Sequence, residues 1–176
     1  HSSLTVEVWG GGGGGGSNAD NKNESGENGG QSAFGGIIVV RGGKGGDAGE
    51  RGKVVSGGKG GTAEGGDNNR SGDPGKDGKS TQAGDGGASP KGGEGGKGPR
   101  TPSTHSTAEG KDGTAQGGGG SGTANKSGSS YINGGGGGGG GFASKTFMEG
   151  ELAPGTQVTI VVGAGGKGSS TKINGG

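Results

Sequence analysis

Cysteine is absent from this 176-residue chain, which excludes disulfides and thiolate chemistry and leaves the redox compartment unmarked. Apolar residues are scarce at 19%, and the aromatics are one Trp, one Tyr and three Phe. That is too little apolar surface for an ordinary core in a chain of this length. No apolar run approaches the roughly 18 residues of a membrane-spanning helix, so no membrane insertion is expected. Net charge is only +1, with 17 basic and 16 acidic residues interleaved. No basic stripe tracks a phosphate backbone, and nucleic acid is not an expected partner. Prolines number only five, and glycine triplets slip after a few repeats, which excludes the unbroken repeat of collagen.

What is present is glycine, 59 residues of it. Composition alone would place the chain among low-complexity, disordered sequences. The placement of the glycines argues for order. A run of seven, Gly10–Gly16, follows Leu4-Thr5-Val6-Glu7-Val8-Trp9, and a run of eight, Gly134–Gly141, sits between Tyr131-Ile132-Asn133 and Phe142-Ala143-Ser144-Lys145-Thr146-Phe147. Flexible linkers are usually diluted with serine and join two cored domains. These runs instead abut short β-like segments. The expectation is extended left-handed three-residue helices, which rise ~3.1 Å per residue and make no internal hydrogen bonds. Every N–H and C=O then points outward and needs a partner. With no side chains in the way, neighbouring backbones can approach until they bond to one another, and Cα–H···O contacts add a smaller contribution. Fixing each residue costs ~1–2 kcal/mol of entropy, so such a bundle has to be large and mutually supporting. Its scaffold positions are read as Trp9, Gly10, Gly13, Gly16, Gly134, Gly137, Gly141 and Phe142, with the two runs side by side at the centre.

Four segments carry most of the apolar residues and read as strands: 4–9, 37–41, 142–147 and 157–162. Leu4, Val6 and Val8 alternate with Thr5, Glu7 and Trp9, the period of a half-buried strand. Val158, Ile160 and Val162 alternate in the same way after a turn at Leu152-Ala153-Pro154-Gly155-Thr156. The fold class expected is therefore a bundle of extended polyglycine II-type helices, a glycine-rich sandwich, anchored by one small β-sheet and with essentially no α-helix. It reads as a single glycine-rich domain over residues 1–176. Between the strands lies a loose glycine lattice, and the polar stretches Ser17–Asn28, Arg100–Thr107 (which lacks glycine) and Asn125–Ser130 read as exposed loops. The start at His1 without methionine, and the end at Gly175-Gly176 without a closing element, suggest a fragment or the visible part of a longer chain.

Several motifs fall short of chemistry. Asp73-Pro74-Gly75-Lys76-Asp77-Gly78-Lys79-Ser80 approaches a phosphate-binding loop but lacks its first glycine, a preceding apolar strand and a following helix. Gly42–Glu50 follows the calcium-binding nonapeptide until Gly49, where a large apolar residue is needed, and it does not recur in tandem. His1 and His105 stand far apart among serines and threonines, with nothing to orient a catalytic base. The sequons at Asn23, Asn69 and Asn125 arise readily in a chain rich in Asn and Ser. No enzyme activity, metal or cofactor is expected.

The strand Leu4–Trp9 entering a glycine run, and Gly134–Gly141 entering Phe142–Phe147 before Leu152-Ala153-Pro154-Gly155-Thr156-Gln157-Val158-Thr159-Ile160-Val161-Val162-Gly163-Ala164-Gly165-Gly166, resemble the glycine-rich domain of phage tail and tail-fibre proteins. The middle is more loosely similar to tail-fibre tip adhesins, whose polyglycine helices pack as a sandwich and present variable loops to a host receptor. The long charged insertion Asn18–Ser130 departs from the compact family pattern. It also resembles the glycine-triplet antifreeze proteins of springtails, although no flat uncharged face can be drawn through its Lys, Asp and Glu residues. The resemblance implies a virion-surface, receptor-binding role, with a host cell-surface protein or glycan as partner and contact with a fibre shaft or other copies. Contact residues are then expected at Asn21, Lys22, Asn23, Glu24, Thr104, His105, Asn125, Lys126 and Tyr131. Alternatives are a structural subunit of an extracellular glycine-rich filament, and an ice-binding protein.

Overall fold

The structure, a computed structural model, describes residues 3–19 and 22–168. Among these residues there is no helix of the α type. In chain order the strands are β1 (Ser3–Trp9), β2 (Ser17–Ala19), β3 (Lys22–Glu24), β4 (Ser32–Phe34), β5 (Ile38–Val40), β6 (Ala63–Glu64), β7 (Asn68–Arg70), β8 (Thr107–Ala108), β9 (Ala124–Ser127), β10 (Ser130–Asn133), β11 (Phe142–Met148) and β12 (Ile160–Val161). They form small antiparallel sheets ordered β1-β11-β7, β12-β4-β5-β6, β10-β9-β8 and β2-β3.

The four segments expected to share one sheet are divided between two. β1 and β11 pair along their whole length, from Ser3 opposite Met148 to Trp9 opposite Phe142. The segment at 37–41 belongs to the other sheet, because it is the second arm of a hairpin whose first arm, β4, is only three residues long. Gly35 and Gly36 turn that hairpin at φ +58° and +70°, and the Ile37 N–H donates to Phe34 O at 3.0 Å. Two successive positive φ values make the tight turn that matches strand twist. The segment at 157–162 contributes only Ile160 and Val161 as strand. Its expected buried face is not formed at Ile160 and Val162, which are 65% and 84% exposed, while Val158 packs against the core.

Apolar burial is concentrated where these two sheets meet. Phe34, Ile38 and Val40 pack on Ala143 and Phe147, with Val6, Val8, Ala63 and Leu152 at the margins. The Phe34 and Phe147 rings lie 5.7 Å apart, a favourable tilted pair. Behind this core, Trp9 tilts against Phe142 at 5.0 Å and its indole N–H donates to Pro90 O at 3.0 Å. The Lys91 ammonium stands 5.2 Å from the Phe142 ring centre.

The glycine segments outside the strands are held by backbone hydrogen bonds. Gly10, Gly13 and Gly16 donate to Gly141, Gly138 and Gly135, so the two long runs lie side by side and antiparallel. The eight-residue run bonds to six segments. Its Gly134, Gly137 and Gly140 amides reach Thr123, Gly120 and Gly117; Gly135, Gly138 and Gly141 reach Asp47, Lys44 and Arg41; and Gly136 and Gly139 reach Lys76 and Asp73. Its carbonyls accept from Gly10, Gly13 and Gly16, from Gly58 and Gly61, and from Gly84 and Gly87. Each neighbour is met at every third residue.

Side chains are excluded sterically at these contacts. A Cβ built on Gly137 would lie 2.2 Å from Gly13 O, and one on Gly138 would lie 2.1 Å from Lys59 O. Segments with one outer face repeat the same period in their burial: Arg41, Lys44, Asp47 and Glu50 are exposed, whereas Gly43, Gly46 and Gly49 are buried. Where the outer amides have no backbone partner, polar side chains take them. Gly57 N–H donates to Asp77 Oδ1, Gly45 N–H to Asn28 Oδ1, Lys111 N–H to Ser121 Oγ and Gly98 N–H to Asp85 Oδ1.

Two outcomes test this account. Gly137→Val places carbon inside the contact with Gly13 O and is expected to cost more than about 3 kcal/mol, the upper range of core overpacking. Thermal melting of the variant reads it, and an unchanged melting temperature would refute the close packing. Asp85 is the second case. Burial raises its pKa, but the Lys76 ammonium at 2.8 Å, the Gly98 N–H and the charge of Lys97 outweigh it, so the carboxyl sits below its ordinary 3.8. A depressed carboxylate stabilises the fold above the unfolded pKa and loses that contribution as pH falls through the folded one. Asp85→Asn is therefore expected to melt roughly 2–4 °C lower at neutral pH, for about 1 kcal/mol lost. The gap should close progressively below about pH 4.

Candidate binding surface at the loop-bearing end

Both long glycine runs connect the same two ends of the molecule. At one end they join β1 and β11; at the other, Gly16 leads into β2 and Asn133 of β10 leads into Gly134. The polar stretches expected to be separate loops are brought together at this second end, and two of them are hairpins. Asn125–Ser130 is largely β9 and β10, paired from Ser127 opposite Ser130 to Ala124 opposite Asn133. Ser17–Asn28 begins with β2 and β3, and then Gly26 enters the glycine packing by donating to Gly46 O at 2.9 Å. Alternating half-burial of short polar strands leaves no apolar period to read, which is why sequence patterning returns them as loops.

Asn133 joins these parts. It is fully buried, its Oδ1 accepts the Asn125 N–H at 3.2 Å, and its amide group donates to Lys79 O and Thr101 Oγ1. Asn125 in turn donates from Nδ2 to Asn18 O at 3.0 Å. Asn18, 6% exposed, donates to Asn23 Oδ1 and lies 3.4 Å from Gly49 O. The Lys126 N–H donates to Ser106 O at 3.1 Å and the Gly128 N–H to His105 Nδ1 at 3.3 Å, which ties the hairpin tip to the loop that precedes β8.

Of the expected contact residues, Asn23, Glu24, Thr104 and His105 are exposed, and Asn125, Lys126 and Tyr131 are half-buried. Lys22 lies in β3 and Asn21 lies outside the described residues. Tyr131 is committed to structure as well as surface: its hydroxyl donates to Gly52 O at 2.9 Å, and its carbonyl accepts the Gly52 N–H at 2.8 Å. Those bonds bring in a turn that sequence reasoning missed, Glu50-Arg51-Gly52-Lys53. Arg51 donates to Ser127 Oγ at 2.9 Å, and Lys53 pairs with Glu50 at 2.6 Å, a hydrogen bond that raises the lysine pKa. The available signal was the charge cluster around a single glycine, which turns at φ +69°.

Chemically this end offers amides, hydroxyls, a guanidinium, an imidazole and a phenol on a braced frame. Among the described residues no cluster of His, Asp or Glu could hold a metal ion. Among the described residues His105 makes no hydrogen bond to a carboxylate; its Nδ1 accepts the Gly128 N–H. Of the residues read as scaffold, Trp9 and Phe142 meet where β1 and β11 join the runs, and Gly10, Gly13, Gly16, Gly134, Gly137 and Gly141 form backbone hydrogen bonds to neighbouring segments. Comparison with protein families, characterised proteins and solved structures finds no match to this chain.

Asn133→Ala would strand the Asn125 N–H and two acceptors at once. The expected cost is about 2–3 kcal/mol, with faster amide exchange in β9 and β10 measured by hydrogen exchange. Unchanged exchange there would show that Asn133 does not brace this end.

Proposed function

We propose that the chain is a receptor-binding, adhesin-type domain of a phage tail fibre, in which a bundle of polyglycine II-type helices carries binding loops to a host cell-surface protein or glycan. The three-residue period of the inter-segment hydrogen bonds supports the helix type, since a left-handed three-residue helix directs successive peptide groups 120° apart. The observation that carries the functional reading is the convergence of three polar segments and the Arg51 turn on one end of a frame with no flexible joint in its core. Binding residues are commonly held on loops positioned by a rigid scaffold. The surface there is polar and mixed in charge, which suits a glycan or a polar protein epitope. We read the role as non-enzymatic.

A structural filament subunit is the second reading, favoured by the outer edges of β1 and β12, each paired on one side only. Ice binding is disfavoured by the charges that line the outer face at Arg41, Lys44, Asp47 and Glu50.

The test uses an assembled fibre carrying Arg51→Ala, His105→Ala and Lys126→Ala together. Adsorption to host cells is expected to fall at least about tenfold, the effect of losing about 1.4 kcal/mol of contact energy, while the melting temperature changes little. Full adsorption by the triple variant would move the receptor site elsewhere.

A further inference from the structure

Among the described residues, the glycine run Gly134–Gly141 is surrounded by six segments, but its partner Gly10–Gly16 is surrounded by five. Gly13 N–H bonds to Gly138 and Gly14 N–H to Glu27, while Gly11 O accepts from Gly43, Gly13 O from Gly120 and Gly12 O from Gly166. Residues 26–30, 41–47, 117–123, 134–141 and 163–168 thus fill five directions. The sixth lies between 117–123 and 163–168, and it is the direction left to the N–H groups of Gly12 and Gly15. Both residues are buried, and neither amide donates to another described residue.

Two independent features mark the same place as an open slot. Nearly every packed glycine would drive a Cβ into backbone, but a Cβ on Gly165 or Gly168 would find nothing nearer than 3.9 and 3.8 Å, and one on Gly120 nothing nearer than 3.4 Å. All three line a groove of about 450 Å³ beside Gly12–Gly15. Thr123 lines it too; it is 6% exposed, and its hydroxyl has no hydrogen-bond partner among the described residues.

The slot does not end at Gly12. Gly12, Gly113, Gly118 and Gly165 also line a second groove, of about 760 Å³, which runs along β1 and past Ile160–Val162. That part is apolar and edged by strands with a free side: β1 is paired only with β11, and β12 only with β4. Leu4 is 50% exposed beside it and Ile160 65%. Unpaired strand edges accept added strands by backbone hydrogen bonding.

We propose that this continuous groove receives an extended segment of another polypeptide, a glycine run leading into a strand that carries apolar side chains, laid antiparallel to Leu4–Gly16. The chemistry of the occupant is read from another side of the same element. There Gly134–Met148 has this form and pairs with it from Gly16, donating to Gly135 O, to Ser3 opposite Met148. In the slot the occupant's carbonyls would take the Gly12 and Gly15 amides, three residues apart, while its apolar side chains cover Leu4 and Ile160. Residues 169–176 carry glycine only at their last two positions and do not have this form. A second copy keeps its own Gly134–Met148 enclosed, so the partner is a different chain that exposes such a segment. This proposal rests on the three-residue packing read above.

The experiment titrates a labelled peptide copying residues 134–148 into the full chain and follows its fluorescence anisotropy, with amide exchange of Gly12, Gly13, Gly15 and Gly16 measured by NMR. Saturable binding is expected, with Gly12 and Gly15 exchanging faster than Gly13 and Gly16 in the free chain and slowing when the peptide is added. Gly165→Val and, separately, Gly168→Val project into the slot with their Cβ at ordinary van der Waals distance from backbone, and each is expected to weaken binding at least tenfold at an unchanged melting temperature. Absence of binding to the folded wild-type chain, or equal binding by both filled variants, would overturn the proposal. So would slow exchange of Gly12 and Gly15 without peptide: if independent of protein concentration it assigns the slot to the chain itself, and if dependent on it, to a second copy. Failure of the packing reading is distinguishable, because Gly13 and Gly16 would then exchange as fast as Gly12 and Gly15, overturning both.

Discussion

The structure depends on hydrogen bonds between backbones that approach without any Cβ between them. A carbonyl oxygen lies about where the side chain of Gly137 would begin, and the same holds at most glycines of both long runs. One isolated backbone hydrogen bond contributes only about 1 kcal/mol net. A run that engages six neighbours makes nearly all of its donors and acceptors cooperate, so the entropy lost in fixing glycine is met by the whole network. The interior is therefore polar in chemistry and mostly satisfied, the Gly12 and Gly15 amides and the Ser89 and Thr123 hydroxyls being among the groups without a partner among the described residues. It tolerates almost no change in volume, which is the condition for using so little apolar surface.

The apolar residues have a limited and local task. Phe34, Ile38, Val40, Ala143 and Phe147 weld two small sheets at one end, and Trp9 with Phe142 closes the join between strands and glycine runs. Side-chain oxygens of Asp77, Asp85, Asn28 and Ser121 finish the outer rows, where a backbone partner is missing. Along Arg41–Glu50 charge is placed outward at every third position. The ion pairs there are exposed and contribute little to stability.

Some of the loop-bearing end was legible in the sequence, and some was not. His105, Asn125, Lys126 and Tyr131 stood out because they interrupt the glycine pattern with groups able to make directed contacts. Their proximity could not be read, because Asn133 draws Asn125, Lys79 and Thr101 together across long sequence separations. The Arg51 turn was hidden for the same reason: its position follows from Tyr131 bonding to Gly52, not from any local pattern. The glycine slot was equally invisible, since a vacancy is defined only by which neighbours surround Gly10–Gly16.

The sequence by itself determined that the chain forms no helix-based core, that its glycine runs are paired scaffold elements, and that Leu4–Trp9 and Phe142–Phe147 are strands. Each of these follows from local chemistry: the missing Cβ, the alternation of apolar residues, and the shortage of apolar surface. Tertiary structure alone decided that the strands divide between two sheets, that Ile160 and Val162 stay exposed, and that three polar segments share one end. The physical reason is that glycine carries no label. Every glycine segment can bond to every other through identical N–H and C=O groups, so the choice of neighbour is made by the short side-chain-bearing elements that fix where each run begins and ends.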